Sequence, residues 1–189
     1  FLGRGTTMLE AALCGRVPIG CDINPLSVCL VAPRLAPPTV DVVQARIDTI
    51  DFARDTEPDA ELLVFFHPET LRQICALRAY FIERRSGGVM DLVDEWIEMV
   101  ALNRLTGHSK GFFSVYTMPP NQAVTLASQK KINARRDQQP ELRDVPSLIV
   151  KKTKSLLADV DDEVRAQLAQ HQSVPILVGD AAQTPQIAD

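Results

Sequence analysis

The N-terminal stretch constrains the fold most. The turn Phe1-Leu2-Gly3-Arg4-Gly5-Thr6-Thr7 precedes a helical stretch, a short apolar strand and then Asp22, within Gly20-Cys21-Asp22-Ile23-Asn24-Pro25. Two glycines let a backbone bend tightly and approach a ligand without a Cβ in the way, and Thr6 or Thr7 is placed to cap a helix whose free N–H groups attract a carboxylate or phosphate. Leu9, Ala12 and Leu13 recur at helical spacing between Thr6 and Cys14, Gly15 stops the helix, and Val17 to Cys21 reads as a strand. Asp22 follows Gly3 by 19 residues, close to the interval of about 20 at which a βαβ unit offers a carboxylate to a ribose diol. The third glycine of the dinucleotide fingerprint would fall at position 8. Met8 stands there, which disfavours a pyrophosphate and hence a nicotinamide cofactor.

Phe-x-Gly-x-Gly-Thr followed by Asp-Ile-Asn-Pro resembles the S-adenosylmethionine-binding motif of the amino-group DNA methyltransferases, the enzymes that modify adenine N6 or cytosine N4. Val174-Pro175-Ile176-Leu177-Val178-Gly179-Asp180-Ala181 is similar to that family's next cofactor strand. The resemblance sets Phe1, Gly3, Gly5, Thr6, Asp22, Ile23 and Asp180 against S-adenosylmethionine, with Phe1 and the two glycines around its methionine part, Asp22 on the ribose and Asp180 on the adenine amino group. It implies DNA methylation, of the kind that serves restriction and modification. These matches lie at the two ends of the chain; the segment between is matched loosely, through Gly107-His108-Ser109-Lys110-Gly111-Phe112-Phe113-Ser114-Val115-Tyr116.

The family completes its site with an Asp/Asn/Ser-Pro-Pro-Tyr/Phe turn, whose polar groups accept hydrogen bonds from the target amine while the ring stacks on the flipped base. These 189 residues hold no such turn: Pro37-Pro38 follows Ala36, and Pro119-Pro120 stands between Met118 and Asn121. Both read as rigid turns. No catalytic residue is assigned, and the chain is expected to be a fragment of a longer enzyme that transfers no methyl group by itself.

Composition bounds the remaining classes. With 46% hydrophobic residues the chain can bury a core, and no apolar run approaches the roughly 18 residues of a membrane span. Cys14, Cys21, Cys29 and Cys75 form no Cys-x-x-Cys pair, and His67, His108 and His171 stand singly, so buried thiols in a reducing, cytoplasmic setting are expected and no metal site is.

The net charge of −4 conceals a division: from Arg104 to Lys154 there are ten Lys or Arg against three Asp or Glu, a local +7 that leaves −11 elsewhere. Such asymmetry points to an anionic partner, here DNA. Lys130, Lys131, Arg135, Arg136, Lys151 and Lys152 are the candidate phosphate contacts. Asn103, Asn121, Asn133 and Gln129 share the segment and are able to bond base edges or phosphates. Loop Leu105 to Phe113 adds His108 and Lys110 as candidate DNA contacts, with Phe112 and Phe113 read as core.

Between the ends the pattern is helical. Pro68-Glu69 after His67 opens a helix striped by Leu71, Ile74, Leu77 and Phe81; Val89, Val93, Trp96, Ile97 and Val100 stripe a second. Further helices are expected from about Asn121 to Arg136 and from Pro146 to about Leu157, with Pro37-Pro38 leading out of the cofactor unit and 160–172 leading back. The expected fold class is α/β: an incomplete Rossmann-like parallel sheet of the methyltransferase type, with 1–38 and 173–189 in the cofactor domain and 39–172 a mainly helical insertion that supplies the DNA-facing surface. Two other readings stay open, a non-catalytic nucleic-acid-binding module and a nucleotide- or NAD-binding Rossmann-like enzyme.

Overall fold

The computed structural model describes residues 2–118, 122 and 124–182. Helix α1 (Thr6–Leu13) follows the glycine turn and delivers the chain to strand β1 (Gly20–Asp22). Strand β2 (Ile176–Val178) pairs with β1 in parallel, Gly20 against Ile176 and Asp22 against Val178. A parallel pair needs a crossover, and here the whole helical segment is that crossover. The architecture is helical with a small two-stranded parallel sheet among the described residues.

The crossover is built from capped helices. After α2 (Leu26–Val31) and a 3₁₀ segment, Ala32–Leu35, Thr39 caps α3 (Val40–Asp48) by accepting from the Val42 N–H. A second 3₁₀ segment, Ala60–Val64, leads to α4 (Pro68–Ser86), which carries Pro68 at its first turn, where a missing N–H costs nothing, and is capped by the His67 ring accepting from the Glu69 N–H. A reciprocal Asp91/Asp94 capping box opens α5 (Leu92–Leu102). Helices α6 (Leu126–Arg136), α7 (Val145–Leu156) and α8 (Asp162–Ala169) are capped by Thr125, Asp144 and Asp161. Helix α6 thus starts at Leu126 rather than near Asn121, because the Thr125 hydroxyl takes the Ser128 N–H. The expected way back along 160–172 contains α8.

Two apolar clusters result. The larger joins α3, α4, α5 and α7 through Val43, Ile47, Leu71, Leu77, Phe81, Trp96, Ile97, Val100, Phe113, Val145 and Ile149. The smaller, Leu2, Met8, Ala12, Val31, Leu35 and Leu168, lies beneath the glycine turn. Arg165 of α8 donates to the carbonyls of Pro37 and Pro38 (2.8 Å to Pro38), tying the outgoing and returning chain together. Within the larger core, Asp94 is fully buried and accepts from Arg46, Arg84 and the Tyr80 hydroxyl, which locks α3, α4 and α5 together.

Candidate functional site

The glycine turn is held by the carboxylate at the end of β1. Asp22 Oδ2 accepts from the Leu2 N–H at 3.0 Å and the Gly3 N–H at 2.8 Å, while Oδ1 accepts from the Asn24 N–H at 3.0 Å. The Gly3 N–H above all, then that of Asn24, holds the carboxyl below the usual carboxylate range. Three of its roughly four lone-pair sites are thereby used. One, on Oδ1, is left for an incoming hydroxyl, so a ribose diol would meet room for a single bond rather than two unless the turn gives one up.

Gly3 (φ 55°) and Gly5 (φ 78°) both occupy the left-handed region, which only glycine adopts without strain. They differ in surroundings. A Cβ at Gly5 would lie 2.7 Å from Val31 Cγ1 and closer still to Cγ2, whereas one at Gly3 would project into open space. Gly5 is itself the N-cap residue, so neither Thr6 nor Thr7 caps α1, correcting the expected role; both fall inside the exposed first turn, and no side chain caps it. Met8 is buried, and a Cβ on Gly20 would collide with its Sδ and with Leu2 Cδ1. The close helix–strand approach that a third glycine would give is therefore made by a glycine on the strand. Phe1 lies outside the described residues.

Parallel pairing sets the end of β2 beside this turn. The Gly179 N–H donates to the Asp22 carbonyl at 2.9 Å, and Asp180 follows, exposed, its Oδ1 accepting from the Ala182 N–H at 2.9 Å. Ile23 is 77% exposed and Val178 55%. Two carboxylates, two exposed aliphatic side chains and an open glycine thus share the carboxyl edge of the sheet, where ligands of α/β proteins bind.

The basic residues divide. His108, Lys110 and Arg136 line one cleft of about 250 Å³ together with Gln138 and Arg143, and the Arg136 guanidinium stacks 3.8 Å from the Tyr116 ring centroid. Lys130, Lys131 and Arg135 are exposed along α6, which packs on Ala60–Val64, whereas α7 packs on α3 and α5. The six cations thus sit on two helices with different packing partners. Lys151 lines a hollow with Gln44 and Asp48, while Lys152, one residue and about 100° further round the helix, has Arg104, Arg34 and Arg4 as its charged neighbours; burial first, and then those cations, push its ammonium below the usual range.

Of the amides expected to read bases, Gln129, Asn133 and Asn103 are structural. Gln129 is fully buried and donates to the Tyr116 carbonyl (3.0 Å) and Asn133 Oδ1 (2.7 Å); Asn133 in turn donates to the Val64 carbonyl (2.8 Å). Asn103 donates to the Met99 carbonyl and accepts from Arg4. Pro119, Pro120 and Asn121 lie outside the described residues. Phe112 and Phe113 are buried. Arg4, Arg34 and Arg104 were not singled out by the sequence reading; the one signal for them was an arginine standing between the two glycines.

Among the described residues no cluster of His, Cys, Asp or Glu could hold a metal ion, and no helix is long and apolar enough to cross a membrane. Compared with known protein families, with curated proteins and with solved structures, the chain shows no match in any of the three.

Proposed function

We propose that this chain binds S-adenosylmethionine on a Rossmann-like sheet edge and serves methyl transfer to an exocyclic amino group of a DNA base. The observation that carries the reading is the parallel register of β1 and β2, which sets Asp22, the glycine turn it holds and Asp180 side by side although the strands are far apart in sequence. The residues present fit such a cofactor. Asp22 keeps one lone-pair site for a ribose hydroxyl, Ile23 and Val178 offer aliphatic surface to an adenine ring, and the open side of Gly3 admits a ligand against the backbone. When bound, S-adenosylmethionine supplies methyl transfer from its sulfonium to the amine, chemistry that depends on positioning and on polarising the amine. The polar-Pro-Pro-aromatic turn that would do the polarising is not in these 189 residues.

Calorimetric titration tests the reading. S-adenosylmethionine is expected to bind the wild-type chain, and Asp22→Ala to weaken it roughly ten- to a hundred-fold, the loss of a charge-assisted bond of about 1.5–3 kcal/mol. Absence of heat with the wild type, or an unchanged dissociation constant in a folded Asp22→Ala variant, overturns it. Asp180→Ala, which disturbs only a local turn bond, gives the same information without loosening the glycine turn.

On the nucleic-acid side, Lys130→Gln with Lys131→Gln is expected to flatten the slope of log affinity against log salt by up to about 2 on duplex DNA, at about 0.9 per phosphate contact. Identical slopes would make that pair a solvated face of α6.

A further inference from the structure

Four cations meet beside the glycine turn. Arg4 stands between Gly3 and Gly5, and its guanidinium donates to Asn103 Oδ1 at 2.6 Å, at the C-terminal end of α5. Arg34, half-buried in Ala32–Leu35, donates to the Arg4 carbonyl at 3.3 Å. Arg104 follows directly after Asn103, with its guanidinium 4.3 Å from the Phe112 ring centroid and its Nε buried without a hydrogen-bond partner among the described residues. Lys152 lies on α7, which packs on α5 as Ala32–Leu35 does, and Arg104, Arg34 and Arg4 are close enough to push its ammonium below the usual range.

None of the ion pairs among the described residues includes Arg4, Arg34, Arg104 or Lys152. The carbonyl end of α5 contributes only about half a negative charge, far short of four positive ones. Arg34, Arg104 and Lys152 are each held below their usual range by burial first and then by cationic neighbours, with no carboxylate among the described residues acting the other way. Gathering like charges in a half-buried place costs stability, and the arrangement is stabilised if an anion sits among them.

We infer that Arg4, Arg34, Arg104 and Lys152 form a cleft for phosphate groups of a nucleic-acid strand, at the junction between the glycine turn and the helical segment. The inference rests on the DNA reading of the proposed function for the source of the phosphate, but not on the cofactor. Guanidinium groups give paired, planar donors suited to phosphate oxygens, and Arg4 stands in the glycine turn that Asp22 holds.

The test uses the whole chain and a fluorescein-labelled single-stranded oligonucleotide, read by anisotropy across a salt series. Arg104→Gln with Lys152→Gln is expected to flatten the salt slope by about 1.4, two contacts at about 0.7 each on a single strand; Lys154→Gln, on the same helix but another face, is expected to leave it unchanged. Lys152→Gln alone should flatten it by about 0.7 and melt no lower than the wild type, because it relieves repulsion. On the wild-type chain inorganic pyrophosphate should raise the melting temperature, and less so in either variant. Equal slopes in wild type and both variants overturn the inference, as does AMP competing as well as the oligonucleotide at equal phosphate concentration, since the cleft would then hold a strand no better than a lone phosphate. S-adenosylmethionine titration of the same variants separates the two readings: slopes that flatten in a chain that binds no cofactor sink the methyltransferase proposal alone, and unchanged slopes in a chain that binds it sink this one alone.

Discussion

Asp94→Ala is expected to cost about 3–5 kcal/mol of folding stability, the usual consequence of removing one partner from a buried charge cluster. The carboxylate is wholly inaccessible to solvent, and its two oxygens serve Arg46, Arg84, the Tyr80 hydroxyl at 2.7 Å and, more weakly, the Asp91 N–H at 3.4 Å. Removing it takes an acceptor from donors on α3 and α4 and from the Asp91 N–H that opens α5. Asp91 stays within reach of Arg46 at 2.7 Å and of Arg84 at 3.6 Å, so neither guanidinium is left wholly unpaired, which places the effect toward the lower end of that interval. Asp94→Asn keeps the shape and one acceptor and should cost less. Urea unfolding followed by circular dichroism checks both; a loss below about 1 kcal/mol with an unchanged m-value would mean that the cluster does not hold α3, α4 and α5 together.

Elements that bury a wide apolar stripe were legible from sequence. Leu71, Ile74, Leu77 and Phe81 mark α4, and Trp96, Ile97 and Val100 mark α5, because burying one face of a helix imposes its period on the residues. Helix α8 was read as a connector since it turns little more than Val164 and Leu168 inward, yet Asp161 followed by Asp162 and Glu163 is an N-terminal signal that could have been used. Helix α3 hides behind Pro37-Pro38 and begins in β-branched residues, which weaken a helical reading, although Thr39 is a good cap.

The candidate site divides in the same way. The carboxylate at the end of β1 could be picked out because its chemistry and spacing are local. That three of its lone pairs are spent on Leu2, Gly3 and Asn24, and that Arg4, Arg34, Arg104 and Lys152 converge, depends on how the crossover folds back. No local pattern encodes such a meeting. The same cause limits what a run of cations from Lys130 to Lys152 says about a surface: position along the sequence does not tell which side of a helix each ammonium occupies, and Lys151 lines a hollow with Gln44 and Asp48 while Lys152 has Arg104, Arg34 and Arg4 as its charged neighbours.

Gly5→Ala is expected to be the most damaging single change in the glycine turn, and Gly3→Ala a mild one for folding, although both residues have positive φ. The backbone penalty of a left-handed alanine is common to the two, about 1–2 kcal/mol. Only at position 5 does the new methyl also enter Val31, a fully buried side chain in the cluster beneath the turn; overpacking of that kind adds about 1–3 kcal/mol, for a total of roughly 2–5 kcal/mol. The methyl at position 3 meets no atom beyond its chain neighbours within 4 Å and projects on the open side of the turn that Asp22 holds. Gly3→Ala should therefore give a folded protein that loses S-adenosylmethionine affinity by steric exclusion, while Gly5→Ala loses folding first. Melting curves and calorimetric titration of the two variants together decide the point. Equal destabilisation would mean that the Val31 contact relaxes freely, and unimpaired binding by Gly3→Ala would move the ligand away from the open face of the turn.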